Sequence, residues 1–577
     1  MRYLVLCCDY DGTLATDGRL TPETITALEK LIASGRRLVM VTGRELDELK
    51  TVCSRLDLFE YVVAENGALL YHPATHAEKP LAAPPSAKFV ATLRERGVGP
   101  ISVGRVIVAT WEPHETRVLE TIRDFGLELQ VIFNKGAVMI LPAGVNKASG
   151  LLVALETMGL SAHNAIGIGD AENDHAFLSI CECGVAVDNA LPTLKEAADF
   201  VTRADHGAGV EEFIAELLQD DLLSREPQLE RHRLLLGCDA DGREVRIPPY
   251  GENILLVGTS GSGKSTLATG ILERLAALRY SFCIIDPEGD YEAFADAVSL
   301  GSPKRPPTTD EVMQLLGKPG THAIVNLVGL PLADRPAFFA SLLPQLMTLR
   351  ARTGRPHWLL IDEAHHLLPA EWQPGEITLP EKLRSVVQIT VHPNLIAPKL
   401  LADVGIFIAV GETPVEMLEE FGEASGIGVP KTGPVKLTSG EALVWDRARG
   451  GAPFVMRIEP SHTERRRHTR KYAEGELPPD RSFYFRGPQQ KLKLRAHNLI
   501  LFLQMGDGVD EETWLHHLGR NEYSHWMREF IKDPELAGEV EQVENTVRDA
   551  TKSRRLIREA VEQRYTLPAG KGDAGSE

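Results

Sequence analysis

Long apolar runs are missing from this chain of 577 residues. No stretch approaches the roughly 20 apolar residues that a membrane-crossing helix needs. Met1 to Cys8 is a short apolar run that leads straight into Asp9 and Asp11, which does not suit a signal peptide. Cysteine is scarce too: the chain has seven, an odd number without framework spacing, which excludes a disulfide scaffold and suits a reducing cytoplasm. Cys181 and Cys183 form C-x-C with no second ligand pair nearby, so buried thiols are expected there rather than zinc. Positive charge is in deficit. A formal net charge of −19 argues against coating nucleic acid by bulk attraction, while leaving room for a local basic channel. With 43% apolar and 25% charged residues the chain is an ordinary folded protein, long enough for three or four domains.

The most specific stretch lies near the middle. Gly258-Thr259-Ser260-Gly261-Ser262-Gly263-Lys264-Ser265-Thr266 follows the apolar run Asn253 to Val257 and precedes a helical pattern, Leu267 to Leu278. This is the P-loop spacing in its strand–loop–helix setting. Its glycines let successive N–H groups curl around a triphosphate, and the helix N-terminus adds favourable partial charge. Lys264 is suited to the β- and γ-phosphates and Ser265 to Mg²⁺. ATP is the expected ligand.

Residues 1 to about 220 carry a second chemistry. Tyr3 to Cys8 reads as a buried strand ending in Asp9-Tyr10-Asp11-Gly12-Thr13-Leu14. Two carboxylates at a strand's carboxyl end suit Mg²⁺-dependent covalent phosphoryl transfer, one attacking phosphorus and the other handling the leaving group's proton. Arg37 to Val41 ends in Thr42-Gly43-Arg44, where a hydroxyl meets a phosphate oxygen. Val138 to Leu141 leads to Asn146-Lys147, a cation for the transition state. Ala165 to Ile168 ends in Gly169-Asp170-Ala171-Glu172-Asn173-Asp174, a source of acidic metal ligands. Four strands are therefore expected to deliver polar clusters at the carboxyl edge of one parallel sheet.

The set DYDGTL, VTGR, NKASGL and GDAENDHAF, with Ala64-Glu65-Asn66-Gly67-Ala68 between, resembles the haloacid dehalogenase phosphatases of the Cof-type IIB group. The resemblance implies a Rossmann-like domain with a small α/β cap at about 80–136. It implies Asp9 as nucleophile, Asp11 as general acid/base, and Thr42 and Lys147 as phosphoryl binders. It further implies that Asp9, Asp170 and the Asp11 carbonyl hold Mg²⁺, with Asn173 and Asp174 completing or supporting that shell.

Residues 221–252 read as a charged linker followed by a β-hairpin, Leu234 to Leu236 and Glu244 to Ile247. From 253 to 460, Ser281 to Ile285 is closed by Asp286-Pro287-Glu288-Gly289-Asp290-Tyr291, and His357 to Ile361 by Asp362-Glu363-Ala364-His365. An acidic pair after a strand suits Mg²⁺ held through Asp362 and water polarised by Glu363. Val386 to Val391 is a further core strand, ending at His392. GTSGSGKST, DPEGDY and LLIDEAHHLL resemble the HerA/FtsK ATPases, the HerA-like branch above all, implying a RecA-like domain and a ring, usually hexameric, that acts on DNA. Such rings complete the site with a neighbour's arginine, for which Arg350, Arg352 and Arg355 are candidates. The branch commonly places Gln where His392 stands.

Arg465-Arg466-Arg467-His468 with Arg470 and Lys471 reads as a basic linker over 461–482, and 483–567 as a mainly helical domain with Glu539 to Arg564 as one helix. His516, His517 and His525 read as surface or core histidines, and 568–577 as a disordered tail. Three functions stay open: a bifunctional phosphatase and ATPase, a phosphatase gated by a nucleotide-assembled oligomer, and a DNA motor on a passive phosphatase-like platform. The phosphatase substrate stays open as well, between a sugar phosphate or nucleotide and a phosphorylated nucleic-acid end.

Overall fold

The computed structural model describes residues 1–134, 136–259, 262–292, 294–302, 304–370, 383–447, 450–461, 477, 481–531 and 533–564. Ser260 and Gly261, most of the basic linker and the tail lie outside them. The chain divides into two compact units, Met1–Pro460 and Ser461–Glu577.

The first unit is built on two large sheets and a small one. In the first, strands Phe200–Val201, Cys183–Ala186, Ala165–Gly169, Val5–Cys8, Arg37–Val41 and Tyr61–Ala64 lie side by side in parallel. Leu69–His72 and Ala77–Pro80 extend it antiparallel. The central strands are apolar along their length because helices cover both faces, as parallel sheets require. A separate four-stranded antiparallel sheet, Ser102–Val103, Val108–Trp111, Ala137–Pro142 and Leu129–Asn134, is the cap. Its helices Ala87–Glu95 and Glu115–Phe125 pack through Phe89, Leu93, Val118 and Ile122.

This corrects one expectation. Val138 to Leu141 is no core strand; it pairs with Val108–Trp111 and Leu129–Asn134 in the cap. Three core strands carry the site from below, and Lys147 arrives from a cap strand that drops back to the core.

The second large sheet has eleven strands. Seven run parallel: Ile406–Val410, Asn253–Gly258, Val386–Thr390, Trp358–Ile361, Phe282–Asp286, Ala323–Asn326 and Val298–Leu300. The hairpin Leu234–Asp239 and Glu244–Ile247 joins its edge by pairing with Phe454–Ile458, so it is integral to this second sheet. Likewise Leu222 and Leu229 of the charged segment before it are buried in the phosphatase core.

The two large sheets meet at the amino ends of their strands. His163 and Glu182, which precede Ala165–Gly169 and Cys183–Ala186, face Tyr280, which precedes Phe282–Asp286. Glu182 accepts hydrogen bonds from the Tyr280 hydroxyl at 2.6 Å and from Arg2, and pairs with His163 Nδ1 at 2.6 Å. His163 stacks on Tyr280 with centroids 3.7 Å apart, and its Nε2 bonds the Leu278 carbonyl at 2.6 Å. Arg355 donates to the Gly159 carbonyl across the same junction at 2.9 Å. Parallel sheets keep their sites at the carboxyl ends, so the two catalytic edges face away from the seam that joins the domains.

In the second unit, the hairpin Phe483–Phe485 and Leu494–Ala496 and the helices after it share a core of Phe483, Phe485, Phe502, Trp514, Tyr523 and Trp526. His517 is a core histidine, bonded to Glu522 and to the Arg486 N–H. The single helix expected over Glu539 to Arg564 is two, Pro534–Thr546 and Ala550–Arg564. Val547 is extended, and the Asp549 carboxylate accepts the Lys552 N–H at 2.7 Å, a cap that starts the second helix.

Candidate active sites

At the phosphatase edge, Asp9 follows Val5–Cys8 directly and is buried. Lys147 opens the helix Lys147–Thr157, whose start is fixed by reciprocal bonds between Asn146 and Ser149, each 3.0 Å. A cation at a helix N-terminus opposes the dipole; here two carboxylates compensate it. Lys147 Nζ donates to Asp9 Oδ1 at 2.6 Å and to Asp174 Oδ1 at 2.5 Å, and all three side chains are buried. Burial pulls the Lys147 ammonium down, but Asp174 and Asp9 outweigh it and hold the lysine charged. Burial pushes the Asp9 carboxyl up; Lys147 opposes that, and Asp174 and Asp170 add to it.

Asp174 has both oxygens engaged. Its Oδ2 accepts the N–H groups of Asp170 and Ala171, each at 2.9 Å, so it organises the loop and anchors Lys147. Asp170 Oδ1 accepts the Thr13 hydroxyl at 3.0 Å. Thr42 is buried, and its Oγ1 takes the Arg44 N–H at 3.1 Å. Arg44 grips Asp11 through both oxygens, at 2.6 and 2.8 Å, holding the second carboxylate of the D-x-D pair at the site's half-open rim.

The three middle residues of the Ala64–Ala68 segment tie the site together. Glu65 is fully buried and left-handed, with φ 52°, and its carboxylate accepts three cap N–H groups: Arg105 and Val106 at 2.7 Å and Ile107 at 2.9 Å. Asn66 accepts from Asn173 at 3.0 Å. Gly67, at φ 102°, lies against the Lys147 helix so closely that a β-carbon would sit 1.9 Å from the Asn146 carbonyl oxygen. Nothing in the sequence pattern announced the Glu65 contact, because its partners are backbone groups some forty residues away.

Mg²⁺ fits this set. Oxygens of Asp9, Asp170 and Asp174 lie within 4.8 Å of one another, and Asn173 Oδ1 is buried with no partner among the described residues. A buried, oxygen-only, multiply acidic cluster is what a hard divalent cation takes.

The ATPase edge is assembled from four strand ends. Lys264 opens the helix Lys264–Ala277 after Gly263 at φ 106°, a conformation that favours glycine. Its Nζ donates to the Gly258 and Thr259 carbonyls at 2.6 and 3.0 Å. Burial pulls the lysine down, against the pull of Glu363, Asp362 and Glu288. Asp362 is buried, and burial pushes its carboxyl well up, reinforced by Asp286, Glu363 and Asp290. Glu363 is left-handed at φ 43°, a conformation costing a non-glycine residue about 1–2 kcal/mol. Asp286 is fully buried and accepts the N–H groups of Gly289, Asp290 and Tyr291 at 2.8, 3.1 and 2.9 Å; burial lifts it to about 6. Ser262, Ser265 and Thr266 lie in the described turn and first helical residues.

Two of the arginine candidates are ruled out as donors to a neighbouring subunit. Arg350 spends its guanidinium on the carbonyls of Pro356, Arg384 and His357, at 2.6 to 2.8 Å, and Arg355 is buried against the carbonyls of Lys318 and Gly159. Arg352 is exposed.

The family model described as haloacid dehalogenase-like hydrolase matches residues 6–106 and 115–214. A phosphoglycolate phosphatase from Methanothermobacter thermautotrophicus is 33% identical over 216 residues, covering 36% of this chain and 96% of that protein. The chain belongs to the haloacid dehalogenase-like hydrolases. Phosphoglycolate phosphatase 2 of Saccharolobus solfataricus is 29% identical over 220 residues, 37% of this chain and 92% of that protein. A haloacid dehalogenase-like hydrolase from Bacteroides thetaiotaomicron aligns in structure over 37% of this chain and 99% of its own, at 19% identity and a TM-score of 0.33. The model for the central domain of helicase HerA matches residues 251–343. This haloacid dehalogenase-like hydrolase is thus a phosphatase joined to a HerA-type ATPase domain.

Proposed function

We propose that the first site is a Mg²⁺-dependent phosphomonoesterase working through an aspartyl-phosphate on Asp9, and that its substrate is a small phosphorylated carboxylic acid of the phosphoglycolate class. The observation that carries the mechanism is the buried bridge of Lys147 between Asp9 and Asp174. Asp9 attacks phosphorus and the bond to the leaving oxygen breaks. Lys147 and the Thr42 hydroxyl hold the non-bridging oxygens through attack. Asp11, turned from Arg44 to the substrate and carrying a proton, gives it to the leaving oxygen, then takes one from the water that opens the Asp9 ester. Asp9, Asp170 and the Asp11 carbonyl would hold Mg²⁺, with Asn173 beside them; when bound, the ion neutralises charge on the phosphoryl group. Asp174 serves by orienting Lys147 and the 170–171 backbone.

The phosphoglycolate phosphatases among its relatives support the substrate class. So does the low roof. A β-carbon at Gly43 would lie 3.2 Å from Met139 Cε of the cap, which suits a small substrate. A screen of phosphoglycolate against sugar phosphates, nucleotides and 3′- or 5′-phosphorylated oligonucleotides tests it. The highest kcat/KM is expected on phosphoglycolate, and a preference for oligonucleotide ends would reject this assignment.

For the second site we infer Mg²⁺-dependent ATP hydrolysis. The loop Gly258–Thr266, including Ser260 and Gly261, holds the phosphates; Lys264 takes the terminal ones, Ser265 and Asp362 the ion, and Glu363 the attacking water. The HerA match supports a homo-oligomeric ring, a hexamer in this reading, acting on DNA, and free cysteines suit the cytoplasm. ATP turnover that rises with DNA, and DNA binding that weakens with salt, are the expected signs. An oligomer that assembles with ATP but is indifferent to DNA would leave the oligomer-gated phosphatase as the better reading.

A further inference from the structure

Three histidines crowd the ATPase edge without a part in the nucleotide contacts assigned above. The rings of His365 and His366 have centroids 4.0 Å apart, and those of His365 and His392 5.8 Å apart. His392 is exposed, whereas His365 is only 10% exposed and sits two residues beyond Glu363. Its Nδ1 lies 3.0 Å from Thr390 Oγ1 and 3.5 Å from Glu363 Oε2.

Thr390 ends the strand Val386–Thr390, between the P-loop strand and the strand that delivers Asp362, and is fully buried. Its Oγ1 already accepts the His392 N–H at 3.0 Å. A hydroxyl carries one hydrogen, and among the described residues His365 Nδ1 is the acceptor within reach of this one. The hydroxyl therefore donates to Nδ1, and the ring's own proton is on Nε2. Burial, with His366 and His392, pulls the ring down to about 4, so it is neutral at physiological pH.

We propose that Thr390 and His365 form one positioning unit of the ATPase, in which the threonine hydroxyl fixes the imidazole so that its Nε2–H is presented to the terminal phosphate or the attacking water. Where the HerA-like branch commonly places Gln, His392 is exposed and contributes its backbone N–H to Thr390, so the side chains acting here are those of Thr390 and His365. This rests on the ATPase reading of the P-loop domain.

The test is steady-state ATP hydrolysis by the full chain with Mg²⁺, beside the affinity of a fluorescent ATP analogue. Thr390→Val and His365→Ala should each lower kcat by about 10- to 100-fold, with nucleotide affinity changed by less than about threefold. Thr390→Ser, which keeps the hydroxyl, should recover most of the rate. The double variant should be no slower than the slower single one, because both remove the same unit. Unchanged kcat in Thr390→Val, failure of Thr390→Ser to recover, or rate losses that multiply in the double variant would overturn the proposal. Phosphatase activity of every variant reports on folding. Turnover by the wild type that Lys264→Ala abolishes secures the underlying ATPase reading; a wild type without turnover sinks that reading and the proposal together.

Discussion

Removing the Glu65 carboxylate should free the cap from the phosphatase core. That carboxylate accepts three backbone N–H groups of the cap, at 2.7, 2.7 and 2.9 Å, and two of the donors, Val106 and Ile107, belong to buried residues. Hydrogen bonds to a charged acceptor contribute about 1.5–3 kcal/mol each, and buried amides left unpaired cost about as much. Three sharing one carboxylate do not add fully, so Glu65→Ala should weaken cap docking by about 3–5 kcal/mol. Glu65→Gln keeps one acceptor and turns an NH₂ towards the donors, so it should lose roughly half of that. Amide hydrogen exchange at residues 105–107 should accelerate by about a hundredfold or more in Glu65→Ala, since 1.4 kcal/mol is a factor of ten. Phosphatase kcat/KM should fall with it, and ATP turnover should not. Unchanged exchange at 105–107 would refute the latch, whatever happened to the rate.

Three further outcomes follow from the same geometry. Lys147→Met leaves Asp9 and Asp174 buried without their cation; it should cost about 3–5 kcal/mol of stability, read as a lower Tm, and abolish phosphate release. Gly67→Ala places a β-carbon 1.9 Å from the Asn146 oxygen at φ 102°; the Lys147 helix must shift, and phosphatase activity should be lost while ATP turnover persists. At the seam, burial holds His357 and His232 below the ordinary imidazole range, and Arg2 and His163 hold Glu182 low against burial. Both kinds of group bind protons in the unfolded chain before the folded one, so stability is full at neutral pH and falls as pH drops below about 6.5, then further below about 4.5. Thermal melts from pH 7.5 to 5 should show the decline, and His357→Gln should flatten it; a Tm that rises on acidification would contradict the assignment.

Much of both sites could be read from spacing, because each motif is local: an apolar strand, then a short polar turn at its end. Asp9, Thr42 and Asp170 follow their strands as expected, and so do Lys264 and Asp362. The failures have a common cause in long-range packing. Val138 to Leu141 looks like a core strand because a cap strand buried on both faces has the same apolar pattern. Arg350 and Arg355 look like surface charges in sequence, yet the fold uses their fixed forks to collect carbonyls from distant segments. The break at Val547 was hidden by residues that would also suit a continuous helix, and only the Asp549 cap reveals it. The Glu65 latch, the Thr390–His365 pair and the seam through Glu182 join residues 25 to 98 positions apart or more, beyond any periodicity.

On this reading one chain carries two phosphoryl-handling centres that work separately, back to back. Phosphate release from an aryl phosphate and hydrolysis of ATP should be measured side by side in Asp9→Asn and Lys264→Ala. Asp9→Asn should lose only the first activity and Lys264→Ala only the second. If either substitution silenced both, or neither, the chain would not hold two independent sites.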